Sequence, residues 1–531
     1  MSNVASMTVP RAQTGFLGWI ERTGNRLPDP VFLFLYLILG LVVISVVAQW
    51  MGVSALHPTI KDPATGTGKM ITVTSLLSAA NIQKLWVEMP RTFTGFHPLG
   101  MVMVVMLGAG VAERTGLFGS AMRASVANAP KWLLTPIVAF VAMMGHLAAD
   151  AAYVVLIPLA ALIYHAAGRH PIAGIAASFA AVSGGFSANL FPGQLDALLF
   201  GITQSAVVTI LPGWKANIAG NWYFIMGMTF VFLPVIWYVT DKMIEPRLGK
   251  FRADQMDESH AAEDKDLRAP LTDAQKRGLR HAGYAALAVI GLWVFMTWGP
   301  GTPLIDVKAP PAGQMTPFYQ SLVAGFMMLF LASGWAYGKA AGTLNNHRDL
   351  VKMMTKSMGD MAYFLVLAVV VSHFVAMFNW SNLGLIIAVH GADALRSMNM
   401  TAPMLLTVIV LFTAFVNLFI GSASAKWALL APVMVPMLML VGVSAEMTTA
   451  AYRVGDGATN IITPLMVYFP LILVFCQRWN KEFGMGSLAA MMLPYSMGIL
   501  FSGILQVIVW VALEIPLGPA TPVFIPIPGA S

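Results

Sequence analysis

The sequence predicts an all-α polytopic membrane protein of about nine transmembrane helices plus two re-entrant hairpins, arranged as an inverted repeat. Three observations carry that expectation. Hydrophobic residues make up 57% of the 531 positions and charged residues only 10%, with a mean hydropathy of +0.73, a balance foreign to soluble enzymes. Basic residues cluster in short loops between apolar runs, as membrane topology demands. Two stretches, 131–167 and 402–441, are too long for one crossing and are interrupted near the middle by small or polar residues.

Composition also excludes. A formal charge of +7 would suggest nucleic acid in a soluble protein, but here Lys and Arg mark one side of a bilayer, so no nucleic-acid partner is expected. The single cysteine, Cys476, rules out an internal disulfide or a cysteine-built metal site and reads as a packing residue at a helix end. The ten histidines show no metal-ligand spacing. Gly68 and Lys69 are followed by Met70 and lack the glycine five positions earlier, so the phosphate-cradling loop of an ATPase is missing.

Taken in order, residues 1–30 carry Arg11, Arg22 and Arg26 ahead of a span from Val31 to Gly52, which places the N-terminus in the cytoplasm. There is no secretory cleavage pattern, so this run reads as a retained first helix. A polar excursion, 53–97, lies outside, and a second span from Pro98 to Glu113 returns to a loop with Arg114, Arg123 and Lys131. The first hairpin, 131–167, has Gly145, His146 and Asp150 near its tip and ends at Arg169 and His170. A crossing from Pro171 follows, broken by Gly184, Gly185, Pro192 and Gly193. The next span, Asn221 to Thr240, leads to a charged cytoplasmic linker, Asp241 to Arg280, expected to be solvated with some helix.

Spans near 281–299 and 317–337 flank a Pro/Gly-rich outer loop, and an inner loop, 338–357, brings Lys339, Arg348, Lys352 and Lys356. A span from Gly359 to about His390 precedes the second hairpin, 402–441, which enters from outside. The segment 446–470 crosses to Arg478 and Lys481, and a last span, Ser487 to Leu513, leaves an outer tail without Lys or Arg. The organisation is thus 1–30, an N-terminal segment; 31–130, two scaffold helices; 131–212, a first hairpin with broken helix; 213–240, a fourth helix; 241–280, the linker; 281–401, scaffold helices five to seven; 402–479, a second hairpin with broken helix; and 480–531, the last helix and tail.

The two hairpin units resemble each other. VSGGFSANLFP (182–192) laid on VGDGATNIITP (454–464) matches Val, Gly and Pro and pairs Ser187 with Thr459; Pro158 and Pro432 sit at similar distances upstream. They enter from opposite sides, the inverted repeat found in many secondary transporters, whose sites lie near the midplane where discontinuous helices meet. Within 446–470, Arg453 and Asp456 each carry an insertion cost of roughly 2.5–3.5 kcal/mol, which demands a compensating reason. The stretch between Gly457 and Pro464 reads as non-helical backbone lining a cavity.

YRVGDGATNIITPLMVYFP, GSASAKWALLAPVMVPM and AAGRHPIAGIAASFAAVSGGFSANL resemble the p-aminobenzoyl-glutamate transporter (AbgT) family of bacterial inner-membrane carriers, over nearly the whole chain. The resemblance implies a homodimer of nine-span protomers driven by a sodium or proton gradient. It also implies uptake of p-aminobenzoyl-glutamate or export of sulfonamide antimetabolites. By position it puts site residues on Asp196, Ser424, Trp427, Arg453, Asp456 and Pro464. The sequence departs where many relatives read GDSSTN: Gly457 and Ala458 remove two hydroxyls.

Each residue has a structural and a functional reading. Arg453 and Asp456, three apart on one helical face, pair with each other to hold the segment, or Arg453 holds a substrate carboxylate while Asp456 switches between Arg453 and a coupling cation. Trp427 anchors at an interface or, near the hairpin tip beside Ser424, stacks on an aromatic ring. Lys426 is expected to snorkel to water. Asp150 aligns with Ser424 through the hairpin prolines and is either a proton or cation site or a helix cap; Asp196 is a cap, a solvated group or a site residue. Asn189 and Asn460, with Ser187 and Thr459, satisfy broken backbone or ligate Na+, a hard cation. His146 reads as a packed polar residue rather than a proton relay. No cofactor is expected beyond Na+ or H+ as coupling ion.

The expectation is a gradient-coupled, alternating-access carrier of anionic aromatic amides in the bilayer. A carrier of another organic anion, such as a dicarboxylate or short-chain fatty acid, is the first alternative. An intramembrane enzyme lacks a nucleophile–base pair or metal motif, and a passive channel does not need paired inverted units.

Overall fold

Asp29 starts the first long helix, Pro30–Trp50: its carboxylate accepts from the Val31 amide at 2.8 Å, and Pro30 fills the first turn, where a missing N–H costs nothing. The computed structural model describes residues 28–61, 68–126, 130–145, 152–251, 270–298, 301–309 and 314–528. Among these residues, six helices are long and apolar enough to cross a bilayer: Pro30–Trp50, Ile218–Leu248, Asp273–Phe295, Thr316–Ala341, Ala362–Trp380 and Met485–Ala512. His97–Arg114 and Leu117–Ser125 form a further pair bent by 64°.

Shorter apolar helices build the two hairpin units. In the first, Leu134–Met144 and Ile157–Ala166 form the arms; Asp150 and His146 lie outside the described residues. The helix Pro171–Phe179 then continues through a π-helical turn, Ala180–Gly184, and stops; the chain re-enters helix at Gln194–Val207. In the second unit, Ala402–Asn417 and Ala423–Met439 form the hairpin, followed by Ala445–Asn460, a break, and Phe469–Trp479. Each unit thus contains a pair of short apolar helices followed by an interrupted helix.

Three boundaries differ from the sequence reading. The second broken helix runs to Asn460, so the stretch after Gly457 is helical for another turn, and the break covers 461–468. The extra turn is held from outside: the Asn417 amide donates to the Asp456 carbonyl at 2.7 Å and to Thr459 Oγ1 and Asn460 Oδ1 at 2.9 Å. The span assigned to 359–390 is two helices, Ala362–Trp380 and Leu383–Ser397, divided at Asn382, whose φ of 60° is left-handed and whose amide donates to the Thr72 carbonyl at 3.0 Å. The linker ends early, because Thr272 and Gln275 form a capping box that starts Asp273–Phe295 within the charged stretch.

The polar excursion after the first span contains an antiparallel β-hairpin, Ser54–Lys61 with Gly68–Thr72, that pairs Ser54 with Thr72 and Ala55 with Ile71. It packs by hydrogen bonds against the 383–397 helix, where His390 Nε2 meets the Ser54 carbonyl at 3.0 Å. Arg169 forms ion pairs with Asp241 and Glu245 and donates to Thr135 at 2.8 Å, tying the first hairpin to the continuation of the helix that starts at Trp222. The largest apolar core joins the first hairpin, both broken helices and Met485–Ala512; a second joins the second hairpin to Pro30–Trp50 and Ala362–Trp380.

Candidate functional site

The two broken helices cross where each lacks a side chain. A Cβ placed on Gly457 would sit 2.8 Å from the Gly184 carbonyl oxygen, and Asn460 Nδ2 reaches the Ser183 carbonyl at 3.4 Å. Gly457, one of the two departures from the family pattern, is therefore the position through which the first unit's backbone passes. A serine here must push rigid backbone apart, so Gly457→Ser is expected to destabilise the protein by about 1–3 kcal/mol, as overpacking does. Unfolding in detergent checks this, with Gly484→Ser as the control: Gly484 is open and stands at a helix N-cap.

Around this crossing lie two buried ion pairs, and neither joins Arg453 to Asp456. Arg453 Nη2 donates to Asp196 Oδ1 at 2.7 Å, and its Nε donates to Asn221 Oδ1 at 3.1 Å. Asp196 belongs to the first unit. Its other oxygen accepts from the Gly193 amide at 2.7 Å, so it caps its own helix and holds Arg453 at once. Arg453 is 1% exposed and lies over the Phe200 ring at 5.9 Å.

Asp456 pairs with Lys426 at 2.5 Å. The snorkelling expected for Lys426 is overturned: its side chain is fully buried and also donates to Asn417 Oδ1. The reason is geometric. Ser422 caps Ala423–Met439, so Lys426 falls in the first turn beyond the hairpin tip and reaches the neighbouring broken helix instead of water. A buried ammonium is sustained because a carboxylate and an amide oxygen meet it together.

Trp427 is likewise enclosed. Its indole N–H donates to Thr203 Oγ1 at 3.0 Å and approaches the Leu199 carbonyl at 3.2 Å, while its ring lies 4.4 Å from that of Tyr452. The Tyr452 hydroxyl donates to the Ala423 carbonyl at 2.6 Å and stands 3.3 Å from Asp456 Oδ1. Ser424 meets Ser422 at 3.3 Å and opens onto a small apolar crevice with Phe96, Leu198, Phe364 and Val371, between both units and the scaffold. Pro464 lies in the break, against the second hairpin: the neighbouring Thr463 hydroxyl donates to the Leu418 carbonyl at 3.0 Å.

The polar residues of the breaks divide. Thr459 donates to the Ala414 carbonyl at 3.0 Å and Asn460 accepts from Asn417, so both oxygens are engaged within the second unit. Asn189 accepts from the Phe191 amide at 3.2 Å and so satisfies the first break, whereas the buried Ser187 hydroxyl has no hydrogen-bond partner among the described residues. Sequence reasoning missed Asn221, Asn417 and Tyr452. Asn417 was discoverable, because an amide inside APMLLTVIVLFTAFVN has no reason to be there unless a polar partner awaits it. Asn221 and Tyr452 carried no such signal, since both read as helix-end or packing residues.

Discontinuous helices crossing within a bundle of long apolar helices, with paired charges closed off at the crossing, define a multi-pass membrane transporter. The chain belongs to the "AbgT putative transporter family", whose model matches residues 15–525. It is 35% identical over 523 residues to the p-aminobenzoyl-glutamate transport protein of Escherichia coli (strain K12), covering 98% of each chain. Among solved structures it resembles the Alcanivorax borkumensis YdaH transporter, with a TM-score of 0.84 and 40% identity over 93% of this chain and all of that one. It also resembles Neisseria gonorrhoeae MtrF, described as illuminating a class of antimetabolite efflux pumps, with a TM-score of 0.88 and 40% identity over 96% and 100% of the two chains.

Proposed function

We propose that the protein is a gradient-coupled secondary transporter of anionic aromatic amides of the p-aminobenzoyl-glutamate type, of sulfonamide antimetabolites in the outward direction, or of both. The observation that carries the reading is the Arg453–Asp196 pair, in which each unit of the repeat contributes one charge. A guanidinium held by one exchangeable carboxylate is suited to receive a substrate carboxylate in its place, through the same planar fork. The names of the relatives supply the substrate class. The aromatic preference rests on them and not on Trp427, whose indole is already engaged by Thr203 and Tyr452.

Charge balance gives a reason for coupling. The two pairs sum to zero, so each substrate carboxylate that enters leaves one uncompensated negative charge in the membrane interior, two for p-aminobenzoyl-glutamate. One co-bound Na+ or H+ per carboxylate restores neutrality and removes that cost. Asp196 and Asp456 are the carboxylates for this role, with Asn189, Thr459, Asn460 and Asp150 as further oxygen or proton sites. The hairpin units move against a dimer scaffold and expose Arg453 alternately to each side. The protein sits in a bacterial inner membrane as a homodimer with its N-terminus in the cytoplasm, a placement supported by the loop charges.

Purified protein in proteoliposomes tests this with labelled p-aminobenzoyl-glutamate and separately imposed sodium and proton gradients. The expected result is saturable accumulation under one gradient, lost in Asp456→Asn. Folded protein that accumulates nothing under either gradient, and does not export sulfonamides, would reassign the carrier to another organic anion.

A further inference from the structure

Away from the crossing, the ends of three apolar helices converge on a basic cavity. His97–Arg114 ends there, Thr316–Ala341 ends just before it, and Ala362–Trp380 starts just after it. Between the last two runs a helix, His347–Asp360, started by an Asn346–Asp349 capping box. The cavity, about 410 Å³, is lined by Arg114, Asn345, Asp349, Lys352, Met353 and Lys356, among others. Its size falls in the range of small-molecule sites.

The charges there are unequally committed. Arg114 is paired with Asp360. Asp349 Oδ2 accepts from the Asn345 amide at 3.0 Å and the Asn346 amide at 3.2 Å, so one oxygen of its carboxylate serves the helix cap. Lys352 and Lys356 have no ion-pair partner among the described residues and, with Arg348, recur every four positions, so they form one exposed stripe down the helix. On the same helix Val351 is 58% exposed, and on the next helix Val366 is 55% exposed and Tyr363, whose hydroxyl donates to Asp29 at 3.2 Å, is 50% exposed.

We propose that this cavity binds the headgroup of an anionic phospholipid, with Lys352 and Lys356 holding the phosphate and the exposed apolar side chains of Val351, Tyr363 and Val366 meeting the acyl chains. Cationic pockets at the ends of membrane helices recognise lipids through this combination of charge and adjacent apolar surface. A freely soluble phosphate would use the lysines but leave the apolar track without a role. On the charge-rule topology the site faces the cytoplasmic leaflet. It is separate from the Arg453 crossing and does not depend on which substrate is carried.

Native mass spectrometry of the full-length protein in neutral detergent tests the site, with phosphatidylglycerol and phosphatidylcholine offered at equal concentration. The wild type is expected to retain phosphatidylglycerol preferentially. Lys352→Gln/Lys356→Gln should lose this preference by about tenfold or more, given the worth of each interfacial cation. Lys352→Arg/Lys356→Arg should keep it, and inorganic phosphate in excess should not displace the lipid from the wild type. Equal retention of both lipids by the wild type, undiminished phosphatidylglycerol in the glutamine variant, or full displacement by inorganic phosphate would each overturn the proposal. The phosphate arm uses wild-type protein alone, so it stands even if the glutamine variant fails to fold.

Discussion

Arg453→Met is expected to abolish binding of the anionic substrate and to destabilise the fold by about 3–5 kcal/mol, the cost of stranding one partner of a buried ion pair. The stranded group is Asp196, whose side chain is 7% exposed and keeps only the Gly193 amide as an anchor. Asn221 also loses the donor that fills its Oδ1. The single variant confounds two effects, so the informative protein is Arg453→Met/Asp196→Leu. Removing both charges leaves no uncompensated carboxylate, and replacement of a buried pair by apolar groups is often neutral or stabilising. The double variant still loses the Gly193 cap and the Asn221 donor but strands no charge, so it should unfold well above Arg453→Met and below wild type in a detergent melt, while equilibrium binding of p-aminobenzoyl-glutamate stays undetectable. If it recovers both stability and binding, the pair is a structural clasp and the substrate carboxylate is held elsewhere. Arg453→Lys adds a finer test, since an ammonium keeps the charge but loses the planar fork that spans Asp196 and Asn221; it should fold and bind weakly.

The parts of the fold legible in the sequence were those set by local chemistry. Apolar runs of bilayer length gave the spans, and Gly184, Gly185 and Pro464 marked where helices end, because these residues act on their own backbone. Boundaries decided by distant partners were hidden. Nothing near 457–460 announces that Asn417, some forty positions earlier, holds that turn helical, and nothing near Asn382 announces the Thr72 carbonyl that its amide meets. The site shows the same division. Arg453, Asp456 and Asp196 stood out because charges are expensive in lipid, but their pairing could not be read from spacing. A three-residue separation suggested a partnership within one helix, whereas the crossing of the two units offered each charge a better partner, Asp196 for Arg453 and Lys426 for Asp456. Lys426 was misplaced for a related reason: snorkelling assumes that water is nearer than a carboxylate, and only the tertiary fold decides that distance.

The second large effect is expected at Lys426. Lys426→Met removes the cation 2.5 Å from Asp456 and leaves a fully enclosed carboxylate together with an Asn417 oxygen that has lost its donor. The loss should again be about 3–5 kcal/mol in the absence of added ions. The ammonium is met by Asp456 Oδ1 and Asn417 Oδ1, with the Tyr452 hydroxyl 3.3 Å from the former, so removing it leaves a carboxylate and an amide oxygen facing a space that a small hard cation can enter. Added sodium should therefore raise the melting temperature of Lys426→Met more than equal concentrations of potassium or choline do, and more than it raises that of the wild type. Mass action sets the size: a cation at a hundred times its dissociation constant adds about 2.7 kcal/mol, enough to recover most of the loss. Asp456→Asn in the same background should abolish the sodium effect, because the charge that draws the cation is gone. A sodium response in Lys426→Met that persists without Asp456 would place the cation elsewhere, and its absence from both would mean that the ammonium serves packing alone. If the response follows Asp456, the lysine of the second hairpin is a built-in cation, and movement of that hairpin is what frees Asp456 to exchange it for one from solution.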